Sequence, residues 1–170
     1  YCGLGENEDF VMDGGTGDGK PEREDFDTYL NGVSATLNEL DADIYLLQEV
    51  DENSTRSYGT NEMLSFSEGR NAHSSVYALN YSCPFVPFPW PPIGKVNSGI
   101  LTTADYAVQG GSAERIALPC PFSWPVRTAN LKRCLLVSYL PIDGSDKQLV
   151  LVNLHLEAYD DGEGKAAQTA

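Results

Sequence analysis

An apolar run with a polar end occupies residues 43 to 50, Asp43-Ile-Tyr-Leu-Leu-Gln-Glu-Val50. A second run of this kind lies late in the chain, Leu149-Val-Leu-Val-Asn-Leu-His-Leu156. Short apolar runs predict buried β-strands. In α/β enzymes, polar residues at the ends of buried strands lie where the sheet opens to solvent. We therefore expect the two strands to bring the carboxylate of Glu49 close to the imidazole of His155.

The pattern around these runs predicts a mixed α/β fold in one domain. Apolar residues at helical spacing predict an amphipathic helix over residues 23–40, which leads through a short turn into the first run. The strands predicted elsewhere are 75–79, 97–103, 113–118, 133–142 and 148–156. The sequence Asp143-Gly-Ser-Asp146 predicts a hairpin between the last two. Because both are apolar at consecutive positions, we expect a sheet covered on both faces, as in a layered sandwich.

The remaining segments are two predicted loops, one polar stretch and the start of a helix. Residues 1–21 are rich in Gly and acids, and they form either a solvated loop or an ordered loop whose acids border a cation site. Residues 51–70 are polar. The loop from Pro84 to Pro92 contains Phe85, Phe88 and Trp90, and its prolines predict a rigid wall that shapes a pocket or pads the core. Residues 164–170 resemble the first turns of a helix.

Composition limits the classes of function. The chain has 170 residues, 41% of them hydrophobic, which suits one domain with a sizeable core. The net charge of −14 argues against tight nonspecific binding to a phosphate backbone, and it is consistent with a secreted or surface-attached bacterial enzyme. The four cysteines contain no C-x-x-C pair, which argues against a zinc site. No stretch is long and apolar enough to cross a membrane.

Several residues are candidates for chemistry. Glu49 offers carboxylate oxygen to a hard cation such as Mg²⁺, or it pairs with a Lys or Arg. His155 can donate a proton to a leaving group or hydrogen-bond a phosphoryl oxygen. The alternative is a histidine of the core or its rim, with its hydrogen bonds satisfied and without a role in catalysis. Asn153 lies on the same strand face as His155, where it positions the imidazole or contacts a phosphate, or it binds a neighbouring backbone group. The guanidinium of Arg56 suits a phosphate or a surface ion pair.

The other polar candidates have weaker contexts. Asp160 and Asp161 follow His155 in a Gly-containing loop, where they either approach a cation or form a solvated turn. The other histidine, His73, receives no role.

Three segments together resemble the endonuclease/exonuclease/phosphatase superfamily, the Mg²⁺-dependent phosphoesterases with the DNase-I-like fold. They are Asp41-Ala-Asp-Ile-Tyr-Leu-Leu-Gln-Glu-Val50, Asn97-Ser-Gly-Ile-Leu-Thr102 and Val152-Asn-Leu-His-Leu156. The resemblance implies a four-layer α/β/β/α sandwich. It implies that Glu49 binds Mg²⁺ (or Mn²⁺), that His155 is catalytic and contacts the scissile phosphate, and that Asn97 lies in a strand bordering the cleft. It also favours Arg56, Asn97 and Asn153 as substrate-binding residues.

The resemblance also implies what else the site requires. The family has an earlier strand with an Asn near the metal, an Asp-x-Asn motif and a closing Asp-His pair, and residues 1–170 match none of these. We therefore expect a partial domain, its N-terminal portion, that is inactive or nearly so alone. The substrate is a phosphate ester of a nucleic acid, a phospholipid head group or a small molecule. The alternative is a non-catalytic binding domain with a degenerate phosphoesterase fold.

Overall fold

The structure is a computed structural model that describes residues 2–3, 5, 8–68, 74–106, 113–157 and 162–170. His73, Asp160 and Asp161 lie outside the described residues. The helices are α1 (Arg23–Leu40), α2 (Glu62–Glu68) and α3 (Glu163–Thr169), with short 3₁₀ helices at Val11–Asp13 and Val126–Ala129. The strands are β1 (Ile44–Asp51), β2 (Ser74–Val86), β3 (Gly94–Ala104), β4 (Ala113–Ala117), β5 (Cys134–Pro141) and β6 (Gln148–Leu154).

The strands form two antiparallel three-stranded sheets. The order in the first sheet is β1-β3-β2, and the order in the second is β4-β5-β6. In the second sheet, β5 and β6 pair from Leu135 opposite Leu154 to Pro141 opposite Gln148, which confirms the predicted hairpin. Gly144 in its turn has φ +75°, a conformation that glycine adopts without strain.

Helix α1 passes into β1 through a tight turn. Asp41, directly after the helix, has φ +45°, and the hydroxyl of Tyr45 accepts a hydrogen bond from the Ala42 amide and donates one to the Leu37 carbonyl. One tyrosine of β1 thus satisfies backbone groups that the end of a helix leaves without helical partners. This local chemistry fixes the position of β1 against α1.

Two cores define three layers. The first core, between the helices and the first sheet, contains Phe26, Leu37, Tyr45, Phe66 and Leu101. Phe26 is fully buried, which contributes about 2–3 kcal/mol of apolar transfer free energy. The second core lies between the two sheets and contains Ala78, Ile100, Cys134 and Leu136. The first sheet is therefore covered by helices on one face and by the second sheet on the other.

Burial along the β5–β6 hairpin differs from the prediction in one strand. β5 is largely buried, whereas Leu149, Val150, Val152 and Leu154 of β6 are 41–50% exposed. The prediction of a covered strand was wrong for β6, because burial of a strand requires packing over its faces and the described residues bury only Asn153 of this strand.

Two other elements exceed the prediction. α2 forms within the segment 51–70, and β2 continues to Val86, seven residues beyond the predicted end at 79. Within the described part of the chain, no helix is long and apolar enough to span a membrane.

Candidate functional site

Glu49 lies at a β-bulge. Leu47 pairs with Leu101 and Val50 with Gly99, so two residues of β1, Gln48 and Glu49, stand opposite the single residue Ile100 of β3. Glu49 has φ +54°, in the left-handed region that a residue with a Cβ rarely adopts. The strand continues to Asp51, so Glu49 is within the strand and not at its end. Bulges of this kind change the direction of a side chain, and they are common beside active sites.

Hydrogen bonds hold the strand on the C-terminal side of the bulge. The hydroxyl of Tyr77 donates to the Val50 carbonyl at 2.8 Å, and the buried carboxylate of Glu62 accepts from the Asp51 amide at 2.9 Å. On the opposite strand, a Cβ at Gly99 would lie 2.4 Å from the Ala78 carbonyl oxygen. Glycine at position 99 therefore permits the close approach of β2, and it leaves room for the ring of Tyr77, whose Cζ would lie 2.6 Å from such a Cβ. Partners from β2 and α2 hold the residues that follow the bulge.

His155 meets Glu49 directly after β6. Nε2 of His155 lies 3.8 Å from Oε1 of Glu49, and the side chains are 27% and 41% exposed. Burial lowers the pKa of His155, the positive charge of Arg133 lowers it further, and Glu49 opposes both effects. The imidazole is therefore neutral near pH 7, and 3.8 Å is longer than a hydrogen bond. The predicted juxtaposition of these two side chains is present in the fold.

The second ring nitrogen of His155 is unusual. Nδ1 is buried and has no hydrogen-bond partner among the described residues. A buried polar atom without a partner costs about 1–3 kcal/mol. Such an atom marks a place where the surroundings of the ring are incomplete.

A cavity of about 380 Å³ opens beside Glu49. Its polar lining contains the side chains of Glu49, Arg56, Arg133, Asn80 and Ser98. Its apolar lining comes from two loops and from the N-terminal segment; it includes Val11, Met12, Val86, Pro87, Phe88, Ile93 and Leu131. Pro87 and Phe88 confirm that the loop from Pro84 to Pro92 forms a wall of a pocket.

Both arginines of the cavity are paired with acids. Arg56 donates from Nε and Nη2 to the two carboxylate oxygens of Asp51, at 3.0 and 2.9 Å. Nε of Arg133 lies 3.8 Å from Oε2 of Glu157. Arg56 is 7% exposed, so its ion pair is buried and not on the surface. The two guanidinium groups are therefore anchored at the cavity by buried carboxylates that balance their charges, and Asp13 and Glu49 line the same cavity.

Asn153 connects the two sheets. Its Nδ2 donates to the carbonyls of Leu47 and Leu101 at 3.2 and 2.9 Å, and its Oδ1 accepts from Nε2 of Gln48 at 2.8 Å. The residue is 1% exposed. The sequence left two roles open for Asn153, and the structure shows the second: its amide binds neighbouring backbone groups, one of them directly before the bulge.

Asn97 lies on β3 between Val96 and Ser98, which line the cavity. Its side-chain oxygen accepts a hydrogen bond from the Ser82 hydroxyl at 2.9 Å, and its backbone exchanges hydrogen bonds with the Ser54 hydroxyl. Because successive side chains of a strand face opposite sides, the neighbours of Asn97 line the cavity and the side chain of Asn97 faces Ser82 on the other side.

The donor set fits part of a Mg²⁺ site. Mg²⁺ retains several waters and needs one or two carboxylates from the protein, and the partly exposed carboxylate of Glu49 beside a cavity suits that habit. In the ranges that the structure describes, no group of three or more His, Cys, Asp and Glu side chains could hold a metal ion. Glu49 is thus one possible metal ligand and does not constitute a site by itself.

Three residues of this region were not found from the sequence. Arg133 shows only as a charged residue directly before an apolar strand, which is a weak signal. Asp51 and Gln48 flank Glu49, and their partners Arg56 and Asn153 become visible only in three dimensions. A strand pattern tells which residues share a face and does not tell what the other sheet places against that face.

The fold of the chain is similar to part of a solved structure. A crystal structure of an endonuclease/exonuclease/phosphatase from Beutenbergia cavernae DSM 12333 is similar to the chain, with a TM-score of 0.60 and 18% sequence identity. The match covers 82% of this chain and 36% of that one, so this chain spans a little over a third of the matched structure. Comparisons with protein-family models and with curated proteins gave no match. The chain therefore has part of the endonuclease/exonuclease/phosphatase fold.

Proposed function

We propose that the protein is a metal-dependent phosphoesterase, or the part of one that carries Glu49 and His155. The observation that carries this proposal is the 3.8 Å approach of His155 to a bulge glutamate beside a cavity with two anchored arginines. A partial endonuclease/exonuclease/phosphatase fold supports the same reaction class. The left-handed conformation of Glu49 adds to the argument, because backbone strain is often retained at functional sites.

We also propose that residues 1–170 form one partial domain of a four-layer sandwich. The three layers of the described residues agree with such a sandwich. The exposed apolar side chains of β6 and the 36% coverage of the matched structure support further chain in the complete domain.

In this proposal, Glu49 contributes one carboxylate to Mg²⁺ or Mn²⁺. A bound ion supplies charge that stabilises the transition state of phosphoryl transfer. His155 is neutral, and with its proton on Nε2 it donates a hydrogen bond to a phosphoryl oxygen or to the leaving group. Nε2 can donate to a substrate because its contact with Glu49, at 3.8 Å, is too long to be a hydrogen bond.

The remaining candidates hold or attract the substrate. Arg56 and Arg133 present guanidinium N–H groups to a phosphate in the cavity, and their acids keep the guanidinium groups in place. Asn153 and Asn97 act on substrate binding through the backbone that they fix, at the bulge and at β3.

The test is hydrolysis of bis(4-nitrophenyl) phosphate by the full-length protein with and without Mg²⁺. We expect Glu49→Gln to lower kcat/KM by at least about a hundredfold, because it removes a charged ligand and changes few atoms. The matched control is Glu39→Gln, an exposed acid near the end of α1. It should leave kcat/KM unchanged.

The outcomes separate the two functional classes. If Glu49→Gln keeps the wild-type rate and the wild-type Mg²⁺ dependence, Glu49 is not a metal ligand. If the full-length protein hydrolyses neither this diester nor 4-nitrophenyl phosphate at any Mg²⁺ or Mn²⁺ concentration, the non-catalytic binding domain is the better account.

A further inference from the structure

Large apolar side chains are exposed on two loops of the protein. Phe85, Phe88 and Trp90 come from the end of β2 and the loop that follows, and Trp124 and Val126 come from the segment between β4 and β5. Their exposed fractions are 57%, 61%, 87%, 81% and 53%. We call these five residues the aromatic rim. Trp90 and Trp124 are the two tryptophans of the sequence, and such exposure is unusual for tryptophan.

The two loops border the same cavity. Phe88 lines it from the first loop, and Asn130 and Leu131 line it from the second. A hydrogen bond of 2.8 Å from the Tyr81 hydroxyl to the Ala129 carbonyl joins β2 to the second segment. The two loops that carry the aromatic rim therefore border the cavity beside Glu49, and Phe88 is the rim residue that lines it.

The rim is built to keep its shape. The first loop contains Pro84, Pro87, Pro89, Pro91 and Pro92, and the second segment contains Pro119, Pro121 and Pro125. Proline fixes the backbone φ angle, so little conformational entropy is lost when such loops bind a partner. Exposed aromatic side chains on stiff loops are typical of a binding surface.

The charge of the rim differs from that of the whole chain. The chain contains 25 acidic residues. Residues 82–94 contain no charged side chain, and residues 117–131 contain only Arg127. A surface for a polyanion needs several cations, whereas a surface for an uncharged interface needs none. This contrast favours a partner without net charge.

We propose that the aromatic rim docks on a bilayer of zwitterionic lipid and places a lipid phosphodiester at the cavity beside Glu49. Tryptophan and phenylalanine are suited to the boundary between head groups and acyl chains. The choice of a lipid phosphodiester as substrate rests on the proposed phosphoesterase function, while the docking itself does not. A strongly anionic bilayer is disfavoured, because the chain carries a charge of −14.

The experiment measures binding of the full-length protein to phosphatidylcholine vesicles by co-sedimentation. We expect Trp90→Ala and Trp124→Ala each to weaken partitioning about tenfold. The control is Leu40→Ala, which removes a 65% exposed apolar side chain at the end of α1. It should bind as the wild type does. Adding phosphatidylserine to the vesicles should weaken binding.

Tryptophan fluorescence checks the geometry of docking. The difference between the emission of the wild type and that of the Trp90→Phe/Trp124→Phe double variant is the emission of the two rim tryptophans. We expect that component to be quenched by acrylamide without vesicles and to shift to shorter wavelength with them. If acrylamide does not reach these tryptophans in the free protein, another part of the protein covers the rim and the proposal fails. It also fails if a single-stranded oligonucleotide binds the rim and vesicles do not.

The same variants separate this inference from the proposed function. Glu49→Gln should bind vesicles as the wild type does, because docking needs no chemistry. The tryptophan variants should hydrolyse a soluble diester normally and lose activity on phosphatidylcholine vesicles by about tenfold. Binding without hydrolysis would overturn only the proposed function. Hydrolysis of the soluble diester without vesicle binding would overturn only the docking.

Discussion

Two adjacent residues of β1 take part in different contacts. Gln48 donates to Asn153 in the other sheet, and Glu49 approaches His155 beside the cavity. Asn153 in turn donates to the backbone carbonyls of Leu47 and Leu101. A buried amide with three hydrogen bonds therefore fixes the residue directly before the candidate metal ligand.

We expect Asn153→Ala to lower the free energy of unfolding by about 3 kcal/mol, since it leaves buried backbone carbonyls without a donor. Urea denaturation measures this difference. Ser82→Ala is a suitable control, because it removes one hydrogen bond between exposed groups and should cost less than about 1 kcal/mol. Equal losses in the two variants would show that Asn153 does not join the sheets.

Residue patterns in the sequence predict some of this site and not the rest. The two apolar runs predict the approach of Glu49 and His155, although only His155 follows a strand end and Glu49 lies inside β1. The contacts of Asn153 and Arg133 do not follow from any local pattern, because each partner comes from another sheet or from a loop. The direction of Glu49 depends on a bulge that its own strand pattern does not reveal.

Among the elements, the bulge in β1 stores conformational strain. A residue with a Cβ at φ +54° costs roughly 1–2 kcal/mol relative to its relaxed conformation. The hydrogen bonds of Tyr77 and Glu62 at the neighbouring residues Val50 and Asp51 keep the chain in this state. The strand thus retains a locally unfavourable conformation where the candidate site needs a carboxylate.

We expect Glu49→Gly to be more stable than Glu49→Ala by about 1 kcal/mol, because glycine adopts this φ angle without strain. Both variants remove the carboxylate and its contact with His155, so the difference isolates the backbone. Thermal or urea unfolding of the two proteins provides the comparison. Greater stability of the alanine variant would mean that the left-handed conformation is not retained in solution.

The prediction of elements succeeds where hydrophobic spacing is regular. α1 was predicted at 23–40 and lies at Arg23–Leu40, and the β5–β6 hairpin pairs as its turn signal indicates. α2 was not predicted, because its sequence EMLSFSE is short and half polar. β2 extends through Pro84 as far as Val86, although proline is usually a break in a strand.

On the scale of the whole molecule, the cysteines differ in access. Cys2, Cys83 and Cys134 are buried, and Cys120 is partly exposed; all four are thiols. Burial, aided by Glu62, raises the pKa of Cys2 to about 12. At pH 8 the Cys2 thiol is therefore protonated, and the thiolate is the reactive form.

We therefore expect iodoacetamide at pH 8 to modify Cys120 first and Cys2 only when the fold opens. Peptide mass spectrometry over time measures the four rates separately. Cys120→Ser should abolish the fast phase, and urea should bring the remaining thiols to one common rate. Fast labelling of Cys2 in the folded protein would contradict its burial against Glu62.

The hydrogen bond between Gln48 and Asn153 spans 105 residues of chain. At about 5–20 residues per second, a ribosome needs roughly 5–20 s to add that segment. During this interval Glu49 is already part of the nascent chain. Asn153, whose amide fixes its strand, and His155, whose imidazole faces it, have not yet been added. The candidate site is consequently absent from the nascent chain until the second sheet has been made, and it forms only when that sheet packs against the first.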